Sequence, residues 1–172
     1  MKNLLLFLIS ITLVNCSSKT EKKNISLIGM EFKEAKQVEK LFNYTKVSDT
    51  VFYENASDFE AKHGILHLNN VINNLIIFKS ILYYVNNNRS FKILDTLIIT
   101  KLDGSEFVTI GYCENKMNNN NFIALVDKTD SLEIQKINKI WLANVSSEKI
   151  ELVNNMDNIT CINEWFIDIN KN

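Results

Sequence analysis

Few residues in this chain of 172 could do chemistry, and most of them stand apart. His63 and His67 are the only histidines. Four residues apart on a helix they could share a metal ion, with Glu60 close by. The intervening segment, 64–68, alternates weakly and includes Gly64, which reads as a strand. On a strand, positions four apart lie about 13 Å from each other, too far to share an ion. Asp127, Asp130 and Glu133 resemble a calcium loop only in being acidic. The central glycine and the alternating ligand positions of such a loop are missing. Asp95, Glu106 and Glu164 are carboxylates of the type a hydrolase would pair across a bond, but sequence alone does not pair them. The chain has no nucleophile elbow, no P-loop and no glycine-rich dinucleotide turn. Nothing here calls for a metal or a cofactor, and the reading leans away from catalysis.

Two further sets have binding or bonding potential. Trp141, Trp165 and Phe166 could form an exposed aromatic surface for a protein or a glycan, since aromatic residues favour interfaces. Core packing is the competing use of the same side chains. Cys113 and Cys161 are the pair left after Cys16, the third cysteine. In an oxidising compartment they could form a disulfide. Two buried thiols would be the alternative, because free cysteine is also a small core residue.

The elements that must position these residues read as mostly β. Segment 25–30 is short and apolar, a candidate first strand. Segment 31–42 places Phe32, Ala35, Val38, Leu41 and Phe42 at steps of three and four with charged residues between them. That spacing predicts one amphipathic helix, although no N-cap precedes it. Residues 55–61 could make one helical turn. Segment 71–85 has a helix-like stripe, but it is dense in β-branched and aromatic residues and bracketed by asparagines. We read it as a strand. Further strands are expected over 50–53, 91–102, 106–113, 122–126, 139–143, 150–153 and 159–169. Asp103 and Gly104 would turn the chain so that 106–113 returns beside 91–102. Sequential strands joined by short turns favour an antiparallel meander. The expected fold is therefore α+β, mainly an antiparallel β meander or partly open barrel, with one N-terminal helix.

Composition sets the outer limits. Hydrophobic residues make up 46% and charged residues 23%, as in a globular domain. The formal net charge of −1 offers no clustered basic face for nucleic acid and no polybasic membrane patch. Proline is absent and glycine occurs 4 times, so turns must rely on Asn, Asp and Ser.

Residues 1–16 differ from everything after them. Lys2 precedes an apolar run, 4–14, and Cys16 follows almost at once. A basic start, a short apolar middle and a processing site are the parts of a secretion signal. The run is too short to span a bilayer. Leu13, Val14, Asn15 and Cys16 resemble the lipobox of bacterial lipoproteins, with Asn15 standing where that family prefers a smaller residue. The resemblance implies that Cys16 is acylated and that the protein is held on a membrane in the bacterial cell envelope, facing the periplasm or the exterior. Residues 17–24 are polar and would form a flexible tether, and 25–172 would form a single globular domain. On this reading the protein is a non-enzymatic binding or accessory module whose partner is an envelope protein or glycan. The alternatives are an inhibitor or immunity-type lipoprotein acting on an envelope toxin or hydrolase, and a hydrolase with dispersed carboxylates.

Overall fold

A computed structural model describes residues 26–53, 57–83, 89–100, 102, 104–115 and 121–169. The lipobox with Cys16, the tether 17–24 and Ile25 lie outside the described residues. Among the described residues, eleven strands form three antiparallel sheets. The strands are β1 (Glu31–Phe32), β2 (Thr45–Phe52), β3 (His63–Asn69), β4 (Asn73–Tyr83), β5 (Arg89–Thr100), β6 (Glu106–Ile110), β7 (Cys113–Glu114), β8 (Phe122–Asp127), β9 (Ile137–Asn144), β10 (Lys149–Leu152) and β11 (Thr160–Cys161). One sheet has the order β1-β5-β4-β3-β2 and the second β10-β9-β8-β6, while β11 and β7 form a small ribbon. The meander is realised twice, and the strands close into no barrel.

The two large sheets pack face to face. Ile65, Ile76, Phe78 and Leu94 of the first meet Val108, Ile110, Ile123 and Leu125 of the second in one buried cluster. Each sheet is also covered on its outer face. Phe32, Val38 and Leu41 pack on Leu66, Leu68, Leu75, Ile77 and Ile93 outside the first sheet. Ile134, Cys113 and Cys161 pack on Phe122, Ala124, Val126 and Ile140 outside the second. Strands covered on both faces need apolar residues at consecutive positions rather than at every second one. Residues 75–79 of β4 and 122–126 of β8 are accordingly buried without interruption. This explains why 71–85 shows no clean alternation although it contains a strand.

A bulge joins the two sheets. Phe78 pairs with Asp95 and Lys79 with Ile93, so Leu94 is an extra residue in β5. The extra residue turns Leu94 and Asp95 toward the second sheet together. The Asp95 carboxylate accepts from Thr96 N and, across the sheets, from Ile150 N, both at 2.8 Å. Ile150 lies on edge strand β10, so the carboxylate also satisfies a backbone donor on that edge.

Five expectations are corrected. Segment 31–42 is not a helix: β1 is followed by 3-10 turns at Ala35–Gln37 and Glu39–Leu41. Val38 between them is extended, at φ −94° and ψ 110°. Phe32, Val38 and Leu41 are buried as the spacing requires, but they cover a sheet through two short turns, and Phe42 is left exposed. Residues 26–30 form a turn, not a strand, and 57–61 contain no helix among the described residues. The chain beyond Gly104 does not return beside β5. β6 pairs with β8 in the other sheet, and Gly111 (φ 76°) separates it from β7. A side chain at Gly111 would meet Thr50 Oγ1 at 3.1 Å, where the two sheets approach. Finally, 159–169 is not one strand. β11 gives way to a short helix, α1 (Glu164–Ile169).

Cys113 and Cys161 stand directly opposite in the β7–β11 ribbon, with Cα atoms 4.0 Å apart, and form a disulfide. The bridge closes a loop of 48 residues and pins the outer cover of the second sheet. Chain-entropy reasoning assigns such a loop about 4 kcal/mol. Thiol titration of denatured, unreduced protein is expected to find neither cysteine free. The double variant Cys113→Ser, Cys161→Ser is expected to lose about 2–4 kcal/mol in urea unfolding.

Candidate functional site

The outer cover of the second sheet leaves one part of that face open. Phe107 of β6 lies on the side opposite Val108 and Ile110, and so points away from the inter-sheet core. The chain 128–131 passes beside it, and α1 stands over both. Asn163 fixes this arrangement. Its Oδ1 accepts from Trp165 N at 3.1 Å, the N-cap geometry that starts α1. Its Nδ2 donates to Thr129 O at 2.7 Å, and its own N–H to Leu132 O at 2.7 Å. One buried amide thus ties the helix start to the neighbouring loop. The adjacent disulfide holds the preceding residue pair, and Ile162 N donates to Tyr112 O on the other strand of the ribbon.

The result is a cleft of about 630 Å³ lined by Phe107, Lys128, Thr129, Asp130, Asn163, Trp165 and Phe166. That volume is ordinary for a ligand site. Trp165 is 55% exposed. Much of the polar lining is engaged within the protein. Lys128 Nζ donates to Gly104 O at 2.7 Å, Thr129 Oγ1 accepts from Ser131 N, and the Asn163 amide is used as described. The cleft therefore presents chiefly aromatic surface, with the Asp130 carboxylate at its margin.

Of the three aromatics singled out from sequence, Trp165 and Phe166 come together here. Trp141 does not. It lies opposite Ile123 and packs against the core between the sheets. Phe107 and Asn163 were not singled out, and Asp130 only with Asp127 and Glu133 as a calcium-loop resemblance; Phe107 and Asp130 come from a strand and a loop far from Trp165 in sequence. The asparagine at the start of α1 was the one local signal available.

Asp95, Glu106 and Glu164 lie on separate elements, β5, β6 and α1, while Glu106 sits beside Asp127 of β8. Asp95 is held by two backbone donors at the inter-sheet bulge. Glu106 accepts from Asn138 Nδ2 at 2.8 Å, and the same amide nitrogen donates to Asp127 at 2.6 Å. Lys136 and Asn138 hold the Asp127 carboxyl below its ordinary range, the direction that suits an anchored carboxylate and opposes a general acid. Glu164 begins α1. Among the described residues, no three of His, Cys, Asp or Glu converge on a point that could hold a metal.

The histidines are on β3 and point into the space between the sheets. His63 stacks on Phe52 and lies tilted against Phe78, with ring centres 6.0 and 5.7 Å away. His67 is buried, 3% exposed. Its neighbours across the strands are Ser48 and Ile76. His67 Nε2 donates to Asn74 Oδ1 at 2.9 Å, and Nδ1 meets no partner among the described residues.

Compared with known proteins, the chain matches no family model, no curated protein and no solved structure.

Burial lowers the His67 pKa from its ordinary 6.5, and the Asn74 bond opposes the shift only in part. The unfolded chain then binds a proton more readily than the folded one. This contribution to stability is complete above pH 6.5 and is lost as pH falls toward the lower folded value. The urea midpoint is expected to drop between pH 7 and pH 5.5. His67→Gln, which keeps an amide donor for Asn74, is expected to flatten that slope; an unchanged slope would place its origin elsewhere.

Proposed function

We propose that this chain is a lipid-anchored protein of the bacterial cell envelope, and that its sandwich is a non-enzymatic binding module. In this reading a protein partner inserts an apolar side chain into the cleft of Trp165, Phe166 and Phe107. The observation that carries the reading is the half-exposed Trp165 over a largely aromatic cleft, on a helix start fixed by Asn163. A tryptophan held this way loses little freedom on binding and offers a large contact area, as interface hot spots do. A glycan would need hydrogen-bonding groups, and most of the polar lining is already engaged. The inhibitor or immunity role is the special case in which the partner is an envelope toxin or hydrolase. Separate tethering of Asp95 and Glu106 favours binding over dispersed-carboxylate hydrolysis.

Localisation rests on two supports. Residues 1–16 resemble a lipoprotein signal. The Cys113–Cys161 bridge suits a compartment where disulfides persist.

Mass spectrometry of membrane-extracted protein is expected to find an acylated Cys16 at the mature N-terminus, and Cys16→Ser to release the protein or stall its processing. A mature form beginning elsewhere would overturn the anchor. For the cleft, a photoreactive phenylalanine analogue at position 165 is expected to give one discrete protein adduct in intact cells, and at exposed Glu148 none. Once that partner is identified, Trp165→Ala is expected to weaken its binding at least ten-fold. Equal labelling from both positions would refute the assignment.

A further inference from the structure

The outer face of the first sheet carries a feature unrelated to the aromatic cleft. On β4, Leu75, Ile77, Lys79 and Ile81 share that face, and three of the four are apolar. Lys79 is 1% exposed. A lysine in such a place loses hydration that only strong partners replace. Its ammonium donates to Asp49 at 2.6 Å and lies 4.2 Å from the centre of the Phe91 ring. An ammonium has three donors. Asp49 and Phe91 are its only partners among the described residues.

Space is kept for this side chain. Gly64 faces Lys79 across the β3–β4 pairing. A Cβ at Gly64 would lie 2.5 Å from Thr50 O of β2 and 3.2 Å from Lys79 Cε, so the close approach of β2 requires the glycine, which also leaves the lysine stem clear. Above the ammonium, the N-terminal cover does not close. A cleft of about 540 Å³ remains, in which Lys33, Lys36, Lys46 and Lys79 outnumber Glu34 and Asp49. Phe32, Leu66, Leu68 and Phe91 supply apolar walls. Burial lowers the Lys79 pKa, the Asp49 carboxylate opposes the shift, and the nearby Lys46 charge adds to it.

We infer that this cleft binds an organic anion, with a carboxylate or phosphate head on Lys79 and Lys46 and an apolar body against Leu66, Leu68 and Phe91. Asp49 holds the lysine in the empty state and competes with the ligand head. The buried Lys79 ammonium and the excess of lysines at the rim converge on one ligand charge. The inference does not depend on what Trp165 binds.

The test is titration of the full chain in neutral detergent, followed by amide NMR shifts. The probes are benzoate and phenyl phosphate, with benzylammonium and benzyl alcohol as controls. Both anions are expected to shift Gly64, Lys79 and Phe91 saturably, and the controls are not. Binding of benzoate alone would narrow the head to a carboxylate, and of phenyl phosphate alone to a phosphate. Lys79→Met, which keeps the stem, is expected to weaken binding at least ten-fold. Lys46→Gln is expected to weaken it a few-fold and reduce its salt dependence. Asp49→Asn is expected to tighten it several-fold by removing the competitor. The Asp49 and Lys46 variants decide the matter even if Lys79→Met fails to fold. Absence of saturable shifts, equal shifts with benzylammonium, or weaker binding in Asp49→Asn would overturn the proposal.

Discussion

Two antiparallel sheets with apolar residues on both faces impose the governing constraint on this molecule. A sheet of that kind buries one face against its partner and must find something else for the other. Here the two ends of the chain provide the covers. The N-terminal turns take the outside of the first sheet, and the ribbon, loop and short helix near the C-terminus take the outside of the second. Hydrogen bonds fasten each cover at few points. Gly29 N and Met30 O clasp Ile93 on one side, and Ile134 N reaches Cys161 O on the other. Covers of this kind are irregular, and neither cleft exists except where a cover stops short of the sheet beneath it.

The polar residues inside the sheets follow from the same layout. Asp95 is tolerated between the sheets because a bulge aims it at two backbone donors. His67 is tolerated as a neutral ring with one bond to Asn74. Lys79 has the more demanding position, since it keeps its charge only through Asp49 and the face of Phe91.

The sequence was most legible where strands carry their own signals. The segments that became β4, β5, β8 and β9 combine β-branched and aromatic residues with flanking asparagines or aspartates, and they were placed correctly to within a few residues. Cysteine parity pointed to the pair that the β7–β11 register sets face to face. What failed was whatever depends on a neighbour far along the chain. Phe32, Val38 and Leu41 are apolar at helical spacing, yet a sheet surface accepts the same residues from two 3-10 turns. Asp103 and Gly104 mark a change of direction, but a hairpin and a switch between sheets use similar residues. The aromatic cleft was half visible, in Trp165 and Phe166. Phe107 and Asp130 reach it only through the packing of the second sheet. Lys79 was read as one more residue of an ambiguous apolar run, and nothing local marks it as the polar member of a covered face.

The pairing of Glu31 with Lys92 also orders events in time. A chain that emerges from its N-terminus makes this cover first but cannot dock it until β5 has followed. β2, β3 and β4 can form their hairpins in the interval, since each pairs with the next. Throughout that wait Leu66, Leu68, Leu75 and Ile77 face solvent on an uncovered sheet. Lys79 and Asp49 lie among them, so the exposed surface carries charges of both signs instead of being uniformly apolar, and charges set into an apolar β surface hinder its pairing with other chains. The pair that is costly to bury in the finished protein is thus also an interruption in an apolar face that stays bare until the first-made segment can dock.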